Sequence, residues 1–267
     1  MNWPAIRAVV GKDLLAVRRS KAVSIPMVAV PFVLLVVVPF GLALYARGHS
    51  TVDVERLLDT VPHQLAQPIL SLPQREQLLV LVNGYLLAPL CLIVPLMVSA
   101  VLAADAFAGE KERKTLESLL HLPLADRDLF VAKLLSAFVP AVAISWIGFL
   151  CFAITSNAVG WSVLHRIFIP TGNWLVVILW VAPAVAAFGL AVMVRVSARA
   201  RTTQEANQLG AAVVLPLIFL AVGQTTVLLV VSIGVAVVLG AVLWTGALLL
   251  IWRGSRHFTR DQLATRL

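Results

Sequence analysis

The sequence predicts an all-α integral membrane protein with six transmembrane helices, an interfacial amphipathic helix before the first and a charged surface helix between the second and third. Three observations carry this. The 267 residues are 60% hydrophobic and 13% charged, with a mean hydropathy of +0.95. A soluble domain of this size cannot hide so much apolar surface. Uncharged stretches at 22–46, 77–104, 134–165, 167–194 and 206–252 each reach the ~20 residues a spanning helix needs. The last is long enough for two spans, with Gly223, Gln224, Thr225 and Thr226 as a polar turn near its middle. Unbroken apolar runs of this length exclude a β-barrel, which would show ~10-residue alternating segments.

Basic residues supply the third observation. Seventeen of the 21 lie in the N-terminal segment, the two even-numbered connections and the C-terminal tail; only Arg47, Arg56, Arg75 and Arg166 lie in the odd-numbered connections. This bias places both termini in the cytoplasm, and an even number of spans requires them on one side. The net charge of +8 is therefore read as a topology signal, not as a nucleic-acid footprint.

Taken in order, residues 1–21 form the interfacial helix. Trp3, Ile6, Val9, Val10, Leu14 and Val17 recur at helical spacing among Arg7, Lys12, Arg18 and Arg19. No cleaved leader is expected, because the first apolar run comes late and is too long for a signal core. Span 1 (22–46) carries Pro26, Pro31 and Pro39, which predict kinks or local unwinding. The connection 47–77 reads as a small lid on the outer leaflet, started by Ser50 as a helix cap and broken by Pro62, Pro68 and Pro73. Span 2 covers 78–104, the charged loop 105–128, and span 3 129–155 with Asp126 as its N-cap. Trp161 and Trp174 suit the interfacial aromatic belt around the loop before span 4 (173–194). Thr202 and Glu205 make a capping box at the start of span 5 (206–222); span 6 (227–252) and a basic tail (253–267) follow.

Several chemistries are missing. No Asp, Glu, Lys or Arg lies in the middle of a span, and Lys133 sits near the cytoplasmic end of span 3. A carrier coupled to ions or protons normally needs such a group. Asn83, Ser99, Ser136, Ser145, Gln208 and Ser232 read as interhelical hydrogen-bonding groups. The five histidines (His49, His63, His121, His165, His257) are scattered, so no metal site is expected. Cys91 and Cys151 lie in spans and read as packing residues. Lys114 and Thr115 lack the glycines of a phosphate loop. The chain is expected to carry no catalytic residue and no cofactor, so any energy for work comes from another subunit.

The charged loop is the remaining lead. Glu110 with Lys114 and Arg113 with Glu117 are i,i+4 pairs, and Leu116, Leu119 and Leu120 form one apolar stripe. Gly109 precedes this helix and Pro123 ends it. Its residues fit either a groove on a soluble partner or a connector lying on lipid headgroups.

The run Phe107 to Pro123, followed by Asp126 to Lys133, resembles the signature of ABC-2 type transporter permeases, most closely the sodium-export/multidrug-like branch with six-span subunits. In that family a Glu-Lys-Glu-x-Gly-Thr-Leu-Glu-x-Leu-Leu-x-x-Pro segment follows span 2, and a lysine starts span 3. Lys114 stands where the family usually has glycine. The loop 197–206 is similar to the family's second cytoplasmic loop. The resemblance implies that 110–122 is a cytoplasmic coupling helix. It would present Glu110, Lys111, Glu112, Arg113, Lys114, Thr115, Leu116, Glu117, Leu119 and Leu120 to a separate ABC ATPase subunit. Arg199, Arg201, Thr202 and Glu205 would add contacts from the second loop. It further implies two ATPase copies holding ATP and Mg, a second permease subunit (identical or different), export as the direction and the cell inner or plasma membrane as the site. The alternative is a non-transporting scaffold or assembly subunit of an ABC-type complex.

Overall fold

The computed structural model describes residues 2–49, 53–59, 63–109, 112, 125–200, 202–206, 208–210 and 233–257. Among these residues there is no strand, and nearly all are helical. Five helices are long and apolar enough to cross a bilayer: Val23–Gly48, Gln74–Gly109, Asp126–Leu164, Gly172–Ser197 and Ile233–Gly254. The protein is therefore an all-α membrane protein, as its composition predicts. The fifth expected span, 206–222, and the turn after it fall almost wholly outside the described residues.

The N-terminal helix Trp3–Arg19 starts where Asn2 accepts a hydrogen bond from the Ala5 amide at 3.4 Å. Ile6 and Val9 are buried against Leu129 and Ala132 at the start of the third membrane helix, while Trp3 and Leu15 stay exposed. One face thus docks on protein and the other is left for the membrane surface.

Within the bundle, the second and fourth membrane helices form the centre, each about two-thirds buried by the rest of the chain. The first and last are peripheral, with 22% and 17% of their apolar windows buried. Small residues let the central pair approach: a Cβ at Gly189 would lie 2.4 Å from Leu96 Cδ1.

The prolines leave a regular mark. Wide π turns interrupt the α-helical ladder at Val33–Val37, Val80–Leu86 and Val177–Val181. Pro39, Pro89 and Pro183 follow these turns. A proline displaces the carbonyl four residues before it. Those carbonyls belong to Leu35, Tyr85 and Leu179, each inside its π turn. Pro26 and Pro31, expected to kink the first span, sit within the α-helix Lys21–Phe32, as Pro95 and Pro140 sit within theirs. A fourth π turn, Asp105–Gly109, has no proline after it and ends the second membrane helix.

Three local expectations change. Asp53, not Ser50, is the N-cap of the helix Val54–Leu58, its Oδ1 accepting the Arg56 amide at 3.4 Å. Ala125, with extended backbone, occupies the N-cap position of the third helix, and Asp126 is its first helical residue. Asp126 and Asp128 still place negative charge at the positive end of the helix dipole. The helix runs for 39 residues to Leu164, so Trp161 lies on it, exposed as an interfacial residue would be. Trp174 does not join a belt. It is buried, with ring centroids 5.4 Å from Phe149 and 5.6 Å from Phe152. The turn 165–171 folds the fourth helix back on the third, and this carries the indole inward.

Gly240 of the last helix lies under the Trp180 indole, whose N–H donates to the Val237 carbonyl at 3.1 Å. A Cβ there would stand 2.4 Å from two indole atoms. Gly240→Leu is expected to cost about 1–3 kcal/mol by overpacking; Gly246→Leu, beside Phe188, acts the same way more weakly. Melting in detergent checks this, with Gly41→Ala, whose Cβ would meet nothing within 4 Å, as the unchanged control.

Candidate functional site

Of the residues expected to meet a cytoplasmic partner, Glu112, Thr202 and Glu205 are described with their side chains. Arg199 is the last residue of the helix Ala182–Arg199. Glu110, Lys111, Arg113, Lys114, Thr115, Leu116, Glu117, Leu119, Leu120 and Arg201 lie outside the described residues.

The described three come together. Glu112 Oε2 accepts the Thr203 amide at 2.9 Å, joining positions 91 residues apart. Thr203 opens a helical turn whose first amides lack intrahelical partners. A carboxylate there is favoured both by the hydrogen bond and by the helix dipole. Thr202 Oγ1 accepts the Glu205 amide at 3.1 Å, the threonine half of the capping box read in the sequence. Among the described residues, Glu112 of the charged loop is thus tied to the start of the turn at Thr203.

At the root of the charged loop lies a buried lysine that the sequence placed only by position. Lys133 is 1% exposed. Its Nζ donates to the Ala106 carbonyl at 2.9 Å and sits 3.8 Å from Asp13 Oδ2. Lys12 Nζ approaches Asp13 Oδ1 at 3.2 Å. Ala106 belongs to the π turn Asp105–Gly109, so the ammonium grips the end of the second helix directly before the charged loop. Two further contacts close the knot. The Asn2 amide donates to Asp128 Oδ2 at 2.9 Å, and Phe107 meets Phe130 edge-on at 6.2 Å. Three elements therefore converge on Lys133: the N-terminal helix, the second helix and the third.

A buried charge in a membrane protein is tolerated only where it is paired. Asp13 was not singled out from sequence, although a signal existed. It is the one acidic residue among the first 52, set in an otherwise basic segment. Among the described residues, no group of His, Cys, Asp and Glu is placed to hold a metal ion. The arrangement ties the ends of three helices together.

Comparison with known proteins bears on what that linkage serves. The family model described as "ABC-2 family transporter protein" matches residues 7–232. That stretch takes in most of the N-terminal helix, the charged loop and the loop 197–206. No curated protein and no solved structure matches the chain.

Proposed function

The chain belongs to the ABC-2 transporter family, and from that premise we propose that it is the six-span permease subunit of an ABC exporter. Members of the family work in the bilayer with ATPase subunits. In this reading segment 110–122 is the coupling helix that seats in a cleft of the ATPase, and the loop around Thr202–Glu205 lies beside it. Both termini are cytoplasmic, and the host membrane is the cell inner or plasma membrane. Two permease subunits and two ATPases make the working unit. The sparsely buried first and last membrane helices offer the apolar surface for a second subunit and for lipid.

The observation that carries the reading is the Glu112–Thr203 hydrogen bond, which unites the two segments expected to face the ATPase. The Lys133 cluster supports it by fastening the root of the charged loop to two other helices. ATP and Mg bind in the partner, and ATP binding draws the two ATPases together. Their motion displaces the coupling helices, and the clamped helix ends carry the displacement into the bundle. To be useful, ATP binding must favour one state of the pathway by a few kcal/mol: a shift from 1:99 to 99:1 takes about 5.5 kcal/mol.

The test is reconstitution of the chain with its ATPase subunit. ATP hydrolysis stimulated by a transported solute, with solute moving out of the ATP-containing compartment, is the expected result. Steady hydrolysis that no solute changes, with normal assembly of a larger complex, would mark a scaffold instead.

A further inference from the structure

At the ends of the membrane helices opposite Glu112 and Lys133, a cavity of about 340 Å3 opens beside the turn 165–171. Its size falls at the lower end of the roughly 300–1,000 Å3 typical of small-molecule sites. Tyr85, Phe168 and Trp174 give it an aromatic wall, and Arg166 brings a guanidinium to it. The third membrane helix ends at Leu164 and the fourth begins at Gly172. The opening therefore sits at the edge of the bilayer, where the solvent changes from hydrocarbon to headgroups.

The walls are held in place. Asn157 Oδ1 accepts the Phe168 amide at 2.9 Å and the Ile169 amide at 3.4 Å, and Asn157 Nδ2 donates to the Ile169 carbonyl. One side chain of the third helix thus pins the turn that carries Arg166 and Phe168. Arg166 Nη2 donates to Glu76 Oε2 at 2.8 Å. The Arg166 side chain is 55% exposed and that of Glu76 16%, so the guanidinium reaches outward from its partner. It has five N–H donors in a planar fork, and Glu76 takes one of them among the described residues. On the opposite wall, Gly84 leaves space. A Cβ there would meet one atom, Val80 Cγ1, at an ordinary 3.5 Å.

We propose that this cavity binds an amphiphile with an anionic head and a single slender apolar tail. The head, a carboxylate or phosphate, pairs with Arg166, and the tail lies against Tyr85, Phe168 and Trp174. Such a molecule is the one whose two ends match this wall at this depth. An uncharged apolar ligand would make no use of the arginine donors that Glu76 does not take, and a hydrated ion would leave the aromatic wall unused. The site lies a full bilayer crossing from the ATPase-facing surface, and its test needs no ATPase.

The experiment photolabels the purified full chain, in uncharged detergent, with a diazirine-bearing dodecanoic acid and in parallel with its methyl ester. Labelled peptides are mapped. The acid is expected to label peptides containing Tyr85 or residues 166–174, and the ester far less. Gly84→Phe fills the space and should abolish that labelling. Arg166→Gln should reduce it roughly tenfold, the worth of one charged hydrogen bond. Glu76→Gln, by releasing the guanidinium, should increase it. Equal labelling by acid and ester overturns the proposal, as does labelling unchanged in Arg166→Gln. That variant decides the matter even if Gly84→Phe fails to fold. Competition separates the sources of the ligand. Displacement by lysophosphatidylglycerol, which has one tail, assigns the site to a membrane lipid, and displacement by free dodecanoate alone to a soluble amphiphile. Displacement by neither contradicts the proposal.

Discussion

Replacing Lys133 with methionine is expected to lower the melting temperature of the detergent-solubilised protein by on the order of 5–10 °C, from a loss of about 3 kcal/mol. Methionine keeps the length and apolar stem of the side chain, so packing is preserved and the ammonium alone is lost. The Ala106 carbonyl and the Asp13 carboxylate would then face an apolar group. Asp13 would keep only Lys12, at 3.2 Å and half exposed, and a buried carboxylate stripped of its buried cation costs more than the pair was worth. Asp13→Asn in the same background should restore part of the loss, giving a coupling energy of about 1–3 kcal/mol in a double-mutant cycle. In the complex, Lys133→Met should lower the response of transport to ATP more than it lowers hydrolysis, because the loop root is no longer tied to the N-terminal helix. Simple additivity of the two substitutions, measured by thermal unfolding, would refute the linkage.

The double substitution Glu112→Lys with Leu116→Asp is expected to abolish transport while the subunit still inserts. Glu112→Lys removes the acceptor of the Thr203 amide and puts a positive charge at the start of a helical turn, where the dipole opposes it. Leu116→Asp puts a charge into the apolar stripe expected to fill the ATPase cleft. Losing a central anchor of such an interface costs about 2–4 kcal/mol, or roughly 30-fold to 1,000-fold in affinity. Copurification of the ATPase with the tagged permease reads this directly. Normal copurification and normal transport would show that the charged loop is a connector on the headgroups.

Much of the fold was legible because it depends on local composition. Apolar runs reveal membrane helices whatever their neighbours are, and the cap at Thr202 needs only residues three apart. Boundaries were less legible. Asp126 has the chemistry of a cap, yet Ala125 takes the extended conformation and the helix begins one residue early. Pro39 announced a disturbance in span 1, but its form, a π turn and not a break, depends on how neighbouring helices let the ladder recover. The tertiary features were hidden for a different reason. Lys133 and Asp13 are 120 residues apart, and nothing in either local sequence says they meet. Trp174 looked interfacial because tryptophan at a helix start usually is; only the fold of the turn 165–171 buries it. Charge patterning located the loop and the family resemblance gave it a role, whereas the Glu112–Thr203 contact became visible only in three dimensions.

The most direct measurement uses Leu116→Cys, which puts a thiol on the apolar stripe of the charged loop. Cells carrying the permease and its ATPase are treated with a membrane-impermeant maleimide, then opened and exposed to a short bifunctional crosslinker. Protection in intact cells, followed by a crosslink from this cysteine to the ATPase, is the expected result. Labelling from outside, or crosslinks to lipid and to no ATPase, would contradict the assignment of this segment as the point where the motor grips the channel.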